Sequence, residues 1–360
     1  MRRALLAALA ALAACGGEDQ PDCVLPPGGE PAIDPSGTFC RTLSEYRLFE
    51  DLAAQRPAAG VIPYDVNTPL FSDYADKTRF IFVPPGATIG WRDDDALALP
   101  EGTVLVKTFA YAHDRRDPAL GRRLLETRLL VRGPDKWTGA AYVYDDTGDA
   151  HLAAAGATLD ATWIHDDGAQ LANAYGVPNK NQCKNCHAEH DKVLDTLGWK
   201  ARHLNRPGPE GSGIANQLQD LVDRGVLAGA PPADMWPRAP DAMDPSTGTL
   251  DARARAWIDI NCANCHNERG PARTSGLFLE LAATDQTALG ICKPPVAAGN
   301  GSGGRKYAIV PGRPDESIML FRIESTKSEI KMPELGRNLV YAEGAALIRA
   351  WIAAMPGTCD

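Results

Sequence analysis

The chain has 360 residues, of which 44% are hydrophobic and 23% are charged, with 34 glycines and 28 prolines. These proportions are those of a globular protein, and the length allows two or three domains with cores of their own, so a disordered chain is excluded. The formal net charge is −9 at pH 7. A chain with this excess of acidic residues does not neutralise a phosphate backbone, so we expect no nucleic-acid partner.

The N-terminal segment 1–14 is predicted to be a lipoprotein signal peptide. Two arginines follow the initiating methionine, and the apolar run 4–14 is shorter than the roughly 20 residues that a helix needs to cross a bilayer. The run ends in the letters LAAC, which resemble the lipobox of bacterial lipoproteins, so we expect cleavage before Cys15 and a lipid anchor on its thiol. Gly16 follows rather than aspartate, which favours the outer membrane, facing the periplasm. The alternative is a plain secretory signal that ends at a chance cysteine.

Residues 15–59 are predicted to form an N-terminal arm followed by one helix. The arm is dense in proline and glycine, which favours a linker over regular structure. Thr42 and Glu45 have the spacing of a capping box, which predicts that a helix begins there. Pro57 is expected to end that helix, because proline lacks the amide hydrogen that the helix interior needs.

The segment 60–165 is predicted to be a small antiparallel β domain, either a sandwich or a barrel. Runs of β-branched and aromatic residues, separated by turn-forming residues, predict strands at 79–83, 103–109, 123–131 and 140–144. The charged residues of this segment are interpreted as a solvent-exposed face: Lys107, Glu126, Arg128, Asp145 and Asp146. A binding surface is the less favoured alternative to ordinary sheet packing for four further residues: Lys77, Arg79, Trp91 and Trp137.

The nine cysteines divide into three groups. Cys15 belongs to the predicted signal, and four cysteines lie in two CxxCH motifs at 183–187 and 262–266. The remaining four are even in number, as expected for disulfides in an oxidising compartment. We expect the pairs Cys23–Cys40 and Cys292–Cys359, with buried free thiols as the alternative.

The two CxxCH motifs predict two covalently bound haem c groups. Two cysteines three positions apart project from the same side of a helical turn, where both thiols can bond one porphyrin. The next residue, a histidine, then lies under the ring and can bind iron. A zinc site or a redox dithiol is disfavoured, because each CxxC is followed at once by histidine and the pairs lie far apart. The predicted attachment residues are Cys183, Cys186, Cys262 and Cys265, and the predicted proximal ligands are His187 and His266.

The segment 246–360 is predicted to be a cytochrome c domain that carries the second haem. Helix-forming sequence at 251–260 leads into the second motif, and the apolar spacing at 342–352 predicts a terminal helix that packs against it. Met332 is the predicted sixth iron ligand, because it lies in a polar Met-Pro segment with no core of its own. Met319 and Met355 are better explained by packing.

The segment 166–245 is predicted to carry the first haem, whose sixth ligand the sequence leaves open. His203 is one candidate, and it is also explained as a propionate partner or as a surface histidine. Met235 and Met243 are the other candidates, each in a loop. A five-coordinate iron with an open position is the fourth possibility.

Three further stretches give the chain a resemblance to a known family. They are VIPYDVNTPLFSDYA at 61–75, IVPGRPDESI at 309–318 and MPELGR at 332–337. At these residues the chain resembles a family of exported bacterial dihaem c-type cytochromes, which join an N-terminal β-rich region to two CxxCH segments. The resemblance covers about 60 to 355. It implies haem at both motifs, with the two motif histidines as proximal ligands and Met332 in the family's MPELG-type segment.

These observations predict an α+β, multidomain protein in which an antiparallel β domain precedes mainly α-helical, cytochrome c-type haem domains. The predicted function is single-electron transfer between redox proteins of the periplasm, which requires no acid–base catalyst. The alternative is a peroxidase-like or oxidase-like dihaem enzyme, whose first haem binds a small ligand at an open position. A third hypothesis makes the β domain a binding module with the haems as an electron outlet.

Overall fold

The structure is a computed structural model that describes residues 22–34, 36–187, 194 and 196–359. The predicted signal peptide at 1–14 and the predicted anchor at Cys15 lie outside these residues. Within the described ranges, no helix has the length and apolar character required to cross a membrane.

The described chain forms strands first and helices later. The strands are β1 (Phe49–Asp51), β2 (Arg56–Pro57), β3 (Val61–Tyr64), β4 (Asp76–Phe82), β5 (Ile89–Gly90), β6 (Val104–Ala112), β7 (Arg122–Arg132), β8 (Trp137–Tyr144), β9 (Ala150–Leu152), β10 (Ala157–Ile164), β11 (Gln170–Val177) and β12 (Leu227–Ala228). The helices are α1 (Cys183–His187), α2 (Ala201–Leu204), α3 (Gln217–Asp223), α4 (Leu250–Asn261), α5 (Ile318–Ile323) and α6 (Ala342–Ala354).

The centre of the fold is an antiparallel sheet of six strands in the order β3-β4-β6-β7-β8-β9. The predicted strand runs fall on β4, β6, β7 and β8, so the prediction of an antiparallel β region is confirmed. The sheet is open, with β3 and β9 at its edges, rather than a closed barrel. Alternate side chains point to opposite faces, and each face is covered by a different part of the chain.

One face of the sheet packs against the N-terminal arm. Phe80 and Val106 from the sheet share a core with Leu43 and Tyr46 from the arm. The predicted Cys23–Cys40 disulfide is present and lies at this core.

The prediction that a helix begins at the capping box is wrong. A single 3₁₀ turn, Ser44–Tyr46, forms instead, and it ends because Arg47 takes a left-handed conformation with φ of 56°. Tyr46 is fully buried and its hydroxyl hydrogen bonds with that of Tyr142, 2.8 Å away. This long-range contact overrides the local helix signal, and the chain continues into the short strands β1 and β2.

The opposite face of the sheet has two apolar ends. At one end, the β10–β11 hairpin covers Phe109 and Leu125 with Trp163 and Tyr175. At the other end, α2 and α3 pack over the sheet through a separate core. That core includes Ile62, Ile81, Trp199, Leu204 and Leu218.

The prediction of mainly α-helical haem domains is wrong. The structure is mainly β: antiparallel strands continue through β11, and the helices that follow are short, with α1, α2 and α3 spanning 5, 4 and 7 residues. Between α4 and α5 the chain forms turns and 3₁₀ segments. Proline and glycine recur along this stretch and between α2 and α3, and these residues end helices or prevent them.

The predicted pairing of the helix before the second motif with the terminal helix is confirmed. Helices α4 and α6 share a core through Trp257 and Ile348, and the Trp351 indole donates to Asp251 Oδ1 over 2.7 Å. Gly344 allows the close approach, because its Cα faces the Trp257 ring directly. The predicted Cys292–Cys359 disulfide is also present.

Candidate cofactor-attachment site

Each CxxCH motif forms one helical turn. In the first motif the turn is α1, and it begins where Asn179 Oδ1 accepts from the backbone amides of Asn181 and Gln182 at 3.0 Å. In the second, the turn continues from the end of α4, with the His266 amide donating to the Cys262 carbonyl at 3.0 Å. One turn suffices to place two cysteines and the histidine around a shared cofactor.

The structure brings the two motifs side by side. The Cys265 thiol hydrogen bonds to Cys186, and this bond lowers the pKa of the Cys186 thiol to about 7 and raises that of Cys265. Cys265 Sγ also lies 4.0 Å from the Asn185 carbonyl oxygen. Two segments far apart in sequence therefore meet at their cysteines.

The outer cysteine of each motif is directed into a different apolar region. Cys183 packs at the core shared by the sheet and α2. Its Sγ is close to Gly139, since a Cβ atom added to that glycine would lie 3.6 Å from the sulfur. Cys262 packs at the core between α4 and α6, where burial raises the pKa of its thiol to about 12. Each pair of cysteines thus joins an apolar core to the shared contact between the motifs.

Neighbouring groups fix the tautomer and the charge of His266, a predicted ligand. Its Nδ1 lies 3.1 Å from Ser275 Oγ, and the Ser275 hydroxyl donates to the Ala272 carbonyl over 2.7 Å. Ser275 Oγ is thereby left to accept from Nδ1–H, so the lone pair of the imidazole is on Nε2. Burial, with the nearby charge of Arg322, lowers the pKa of His266 to about 4. A neutral imidazole with a free Nε2 lone pair fits the requirements of an iron ligand.

The segment that carries Met332 lies next to the second motif. The Met332 amide donates to the Arg322 carbonyl over 3.0 Å, and buried Arg337 donates to the Met332 carbonyl over 2.7 Å. The charges of these arginines reach the second motif. Arg322 helps to lower the pKa of His266, and Arg337 partly offsets the rise that burial causes in the pKa of Cys262. Met332 stays a predicted ligand.

A cleft of about 630 Å³, measured with its open mouth, separates the first motif from α2 and from the outer side of the second motif. Its lining includes Cys186, His187, Lys200, His203, Asp259 and Asn264. Of the candidates for the sixth ligand of the first haem, His203 is buried in this lining. Met235 and Met243 lie on the surface, with 68% and 36% of their area exposed.

Asp259 lies at the back of this cleft and was not singled out from sequence. Although burial alone would raise the pKa of Asp259, the hydrogen bond from His203 and the charge of Arg202 bring it well below its usual range. Burial lowers the pKa of His203, and Asp259 partly offsets the effect. No local signal marks Asp259, because its role depends on contacts between α2 and α4.

The interpretation of the charged strand residues as a solvent-exposed face is wrong for Glu126, which is fully buried and accepts from the Tyr175 hydroxyl over 2.6 Å. Lys107 and Arg128 are partly buried on the same sheet face, which is directed towards the first motif, and the Arg128 side chain is 35% exposed. Lys107 pairs in register with Arg79 on one side and with Arg128 on the other. Lys77 is on the same face, where burial and the charge of Arg79 lower its pKa to about 7. This positive band faces the cysteines Cys183 and Cys186.

Comparison with family models, with curated proteins and with solved structures finds no match to this chain. Across the described ranges, no three histidine, cysteine, aspartate or glutamate side chains converge in an arrangement that could hold a metal ion.

Proposed function

We propose that this chain is a dihaem c-type cytochrome that passes single electrons between redox partners in the periplasm. The observation that carries the proposal is the contact between the two CxxCH motifs through Cys186 and Cys265. Cofactors attached to neighbouring cysteines are close enough to exchange electrons. The thioether bonds would replace the contact between the thiols.

The residues around the motifs supply binding and orientation. Cys183 and Cys186 would hold one haem and Cys262 and Cys265 the other, each of which supplies a one-electron iron couple when bound. Ser275 fixes the tautomer of His266, so that Nε2 is directed away from its protein partner. A sulfur ligand from Met332 would raise the reduction potential of the second haem.

The N-terminal sequence supports a cellular location for this function. The apolar run and the cysteine at position 15 favour a lipid-anchored protein on the outer membrane, facing the periplasm. Both disulfides agree with an oxidising compartment. The proposed partners are therefore periplasmic redox proteins.

The first experiment measures covalent haem per chain. Wild type should carry two haems that survive denaturing electrophoresis and haem staining. Replacing both cysteines of one motif by alanine, either Cys183 with Cys186 or Cys262 with Cys265, should leave one. Cys359→Ala is the matched control, because it removes a disulfide cysteine and should leave both haems. Wild type purified from a haem-maturing host without covalent haem would refute the proposal.

The second experiment separates an electron carrier from an enzyme. The reduced protein should pass electrons to an oxidised small cytochrome in a stoichiometric burst of two electrons per chain. Addition of hydrogen peroxide and excess reduced cytochrome should give no sustained turnover. Sustained peroxide-dependent oxidation would favour the peroxidase-like alternative instead.

A further inference from the structure

One buried histidine outside the motifs has an incomplete set of partners. His203, on α2, is 1% exposed and lies in the lining of the cleft beside the first motif. Its Nε2 lies 3.1 Å from Asp259 Oδ2. Among the described residues, its Nδ1 has no hydrogen-bond partner. A buried polar atom without a partner is unfavourable, so Nδ1 of His203 requires an explanation, and its place in the lining of a cleft beside the first motif is consistent with a bound group.

The partners of Asp259 determine which nitrogen of His203 carries the proton. Arg202 Nη2 lies 3.1 Å from Asp259 Oδ2, and the Leu281 amide donates to Oδ1 over 2.9 Å. An aspartate that pairs with arginine and accepts from an amide is ionised, so it accepts from His203 Nε2–H. The lone pair of the imidazole is therefore on Nδ1, the atom without a partner.

This arrangement is that of a histidine oriented for metal binding. A carboxylate commonly holds one ring nitrogen of a metal-binding histidine, which fixes the tautomer and increases the basicity of the other nitrogen. The hydrogen bond from the Asn67 amide to the His203 carbonyl, at 3.0 Å, further fixes the backbone of this residue.

We propose that His203 would be the sixth ligand of the first haem iron, with Nδ1 as the binding atom and Asp259 as a positioning residue. The proposal rests on the proposed function, since it requires haem at the first motif. His187, Cys186 and His203 line the same cleft, whereas the methionine candidates Met235 and Met243 lie on the surface.

The proposal makes the two haems unequal. Two imidazole ligands give a lower reduction potential than imidazole with a methionine sulfur. The first haem would therefore be the low-potential centre, and the haem bound by His266 and Met332 the high-potential one. Electrons would pass from the first motif to the second.

The test is His203→Gly in the full chain, with the protein matured in a host that attaches haem. The variant should keep two covalent haems, while electron paramagnetic resonance of the ferric protein should show one of the two low-spin signals replaced by a high-spin signal. Imidazole added to the buffer should restore the low-spin signal. His151→Gly is the matched control, because His151 is exposed and pairs with Asp145 at 2.8 Å, so both signals should remain.

A second variant keeps the proposal open to refutation if glycine prevents folding. His203→Met should add a second long-wavelength methionine-to-iron band and raise the lower of the two reduction potentials. Asp259→Asn should raise the same potential and leave the other unchanged, because the amide increases the basicity of His203 less than the carboxylate does.

The outcomes distinguish the two proposals. Wild type without covalent haem would refute the proposed function itself. Wild type with two haems, together with unchanged low-spin signals in His203→Gly or no new band in folded His203→Met, would refute only the role of His203. A single high-spin signal already present in the wild-type ferric protein would also overturn it.

Discussion

Gly344→Ala tests whether the contact between α4 and α6 is as close as the structure indicates. Gly344 is buried in the first turn of α6, where the helix faces Trp257. On helix propensity alone, alanine is better than glycine by about 1 kcal/mol, so the substitution would stabilise the protein. The packing predicts the opposite sign.

The magnitude follows from the space beside Gly344. An added methyl carbon would lie 2.8 Å from two ring carbons of Trp257 and 2.6 Å from Tyr341 Cδ1, closer than carbon atoms approach without repulsion. Neither ring moves freely, because Trp257 is 2% exposed and Tyr341 stacks on Phe71 with ring centroids 4.6 Å apart. Overpacking costs about 1–3 kcal/mol, which exceeds the gain in propensity. We expect a net destabilisation of about 1 kcal/mol.

The assay is urea unfolding followed by far-ultraviolet circular dichroism, with wild type and variant compared at equal haem content. Ala346→Gly is the control, because Ala346 is exposed on the same helix and should lose only the propensity difference of about 1 kcal/mol. If Gly344→Ala raised the unfolding midpoint, the α4–α6 contact would be looser than described and the reasoning from packing would be wrong.

Three further predictions concern a ligand, a disulfide and a buried charge. Met332→Ala should abolish the long-wavelength methionine-to-iron band and lower one reduction potential, whereas Met319→Leu should change neither; an unchanged spectrum in Met332→Ala would contradict the ligand assignment. Replacing Cys292 and Cys359 by alanine should lower the free energy of unfolding by about 4 kcal/mol, because the bridge spans 67 positions, and a loss under about 1 kcal/mol would contradict the loop-entropy argument. The pKa of Lys77 is about 7 in the folded protein and 10.5 without burial, so the unfolded chain binds the extra proton between these values and stability rises with pH across that window. Lys77→Met should be more stable than wild type at pH 7, by on the order of 2 kcal/mol, with the difference shrinking towards pH 10; a constant difference would show that the charge is not the cause.

Local signals in the sequence predicted the local elements well. The runs that became β4, β6, β7 and β8 have β-branched and aromatic residues between clear turn signals, so strand formation needs little information from elsewhere. Helices α4 and α6 were predicted because their apolar spacing and their helix-forming residues agree. Counting cysteines, once the motifs were set apart, predicted that the other four form disulfides, whereas the pairing itself, which the structure confirms, depends on the fold.

The failures all depend on contacts between distant residues. The capping box at Thr42 did not start a helix, because Tyr46 is buried against Tyr142 instead. No local sequence pattern contains that contact. Glu126 on β7 was assigned to solvent, because the burial of a strand's face depends on which elements later cover it. The expected helical haem domains required long helices, whereas the chain between α4 and α5 is organised by turns.

The site shows the same division. The motif residues were predicted from their spacing, and Met332 from its polar Met-Pro segment. The contact between the motifs, the role of Ser275 beside His266 and the pairing of His203 with Asp259 each join separate parts of the fold. A single sequence carries no record of such pairings, so the proposal for His203 depends on the structure.

The contact between Cys186 and Cys265 also constrains the order of events in biogenesis. In an oxidising compartment, two free thiols in contact are readily converted to a disulfide, which here would remove one attachment point from each motif. Under the proposed function, the cofactors must therefore be attached while the two motifs are still apart. Haem attachment would then precede the approach of the second motif to the first, and a chain that folded first would be trapped in a form unable to mature.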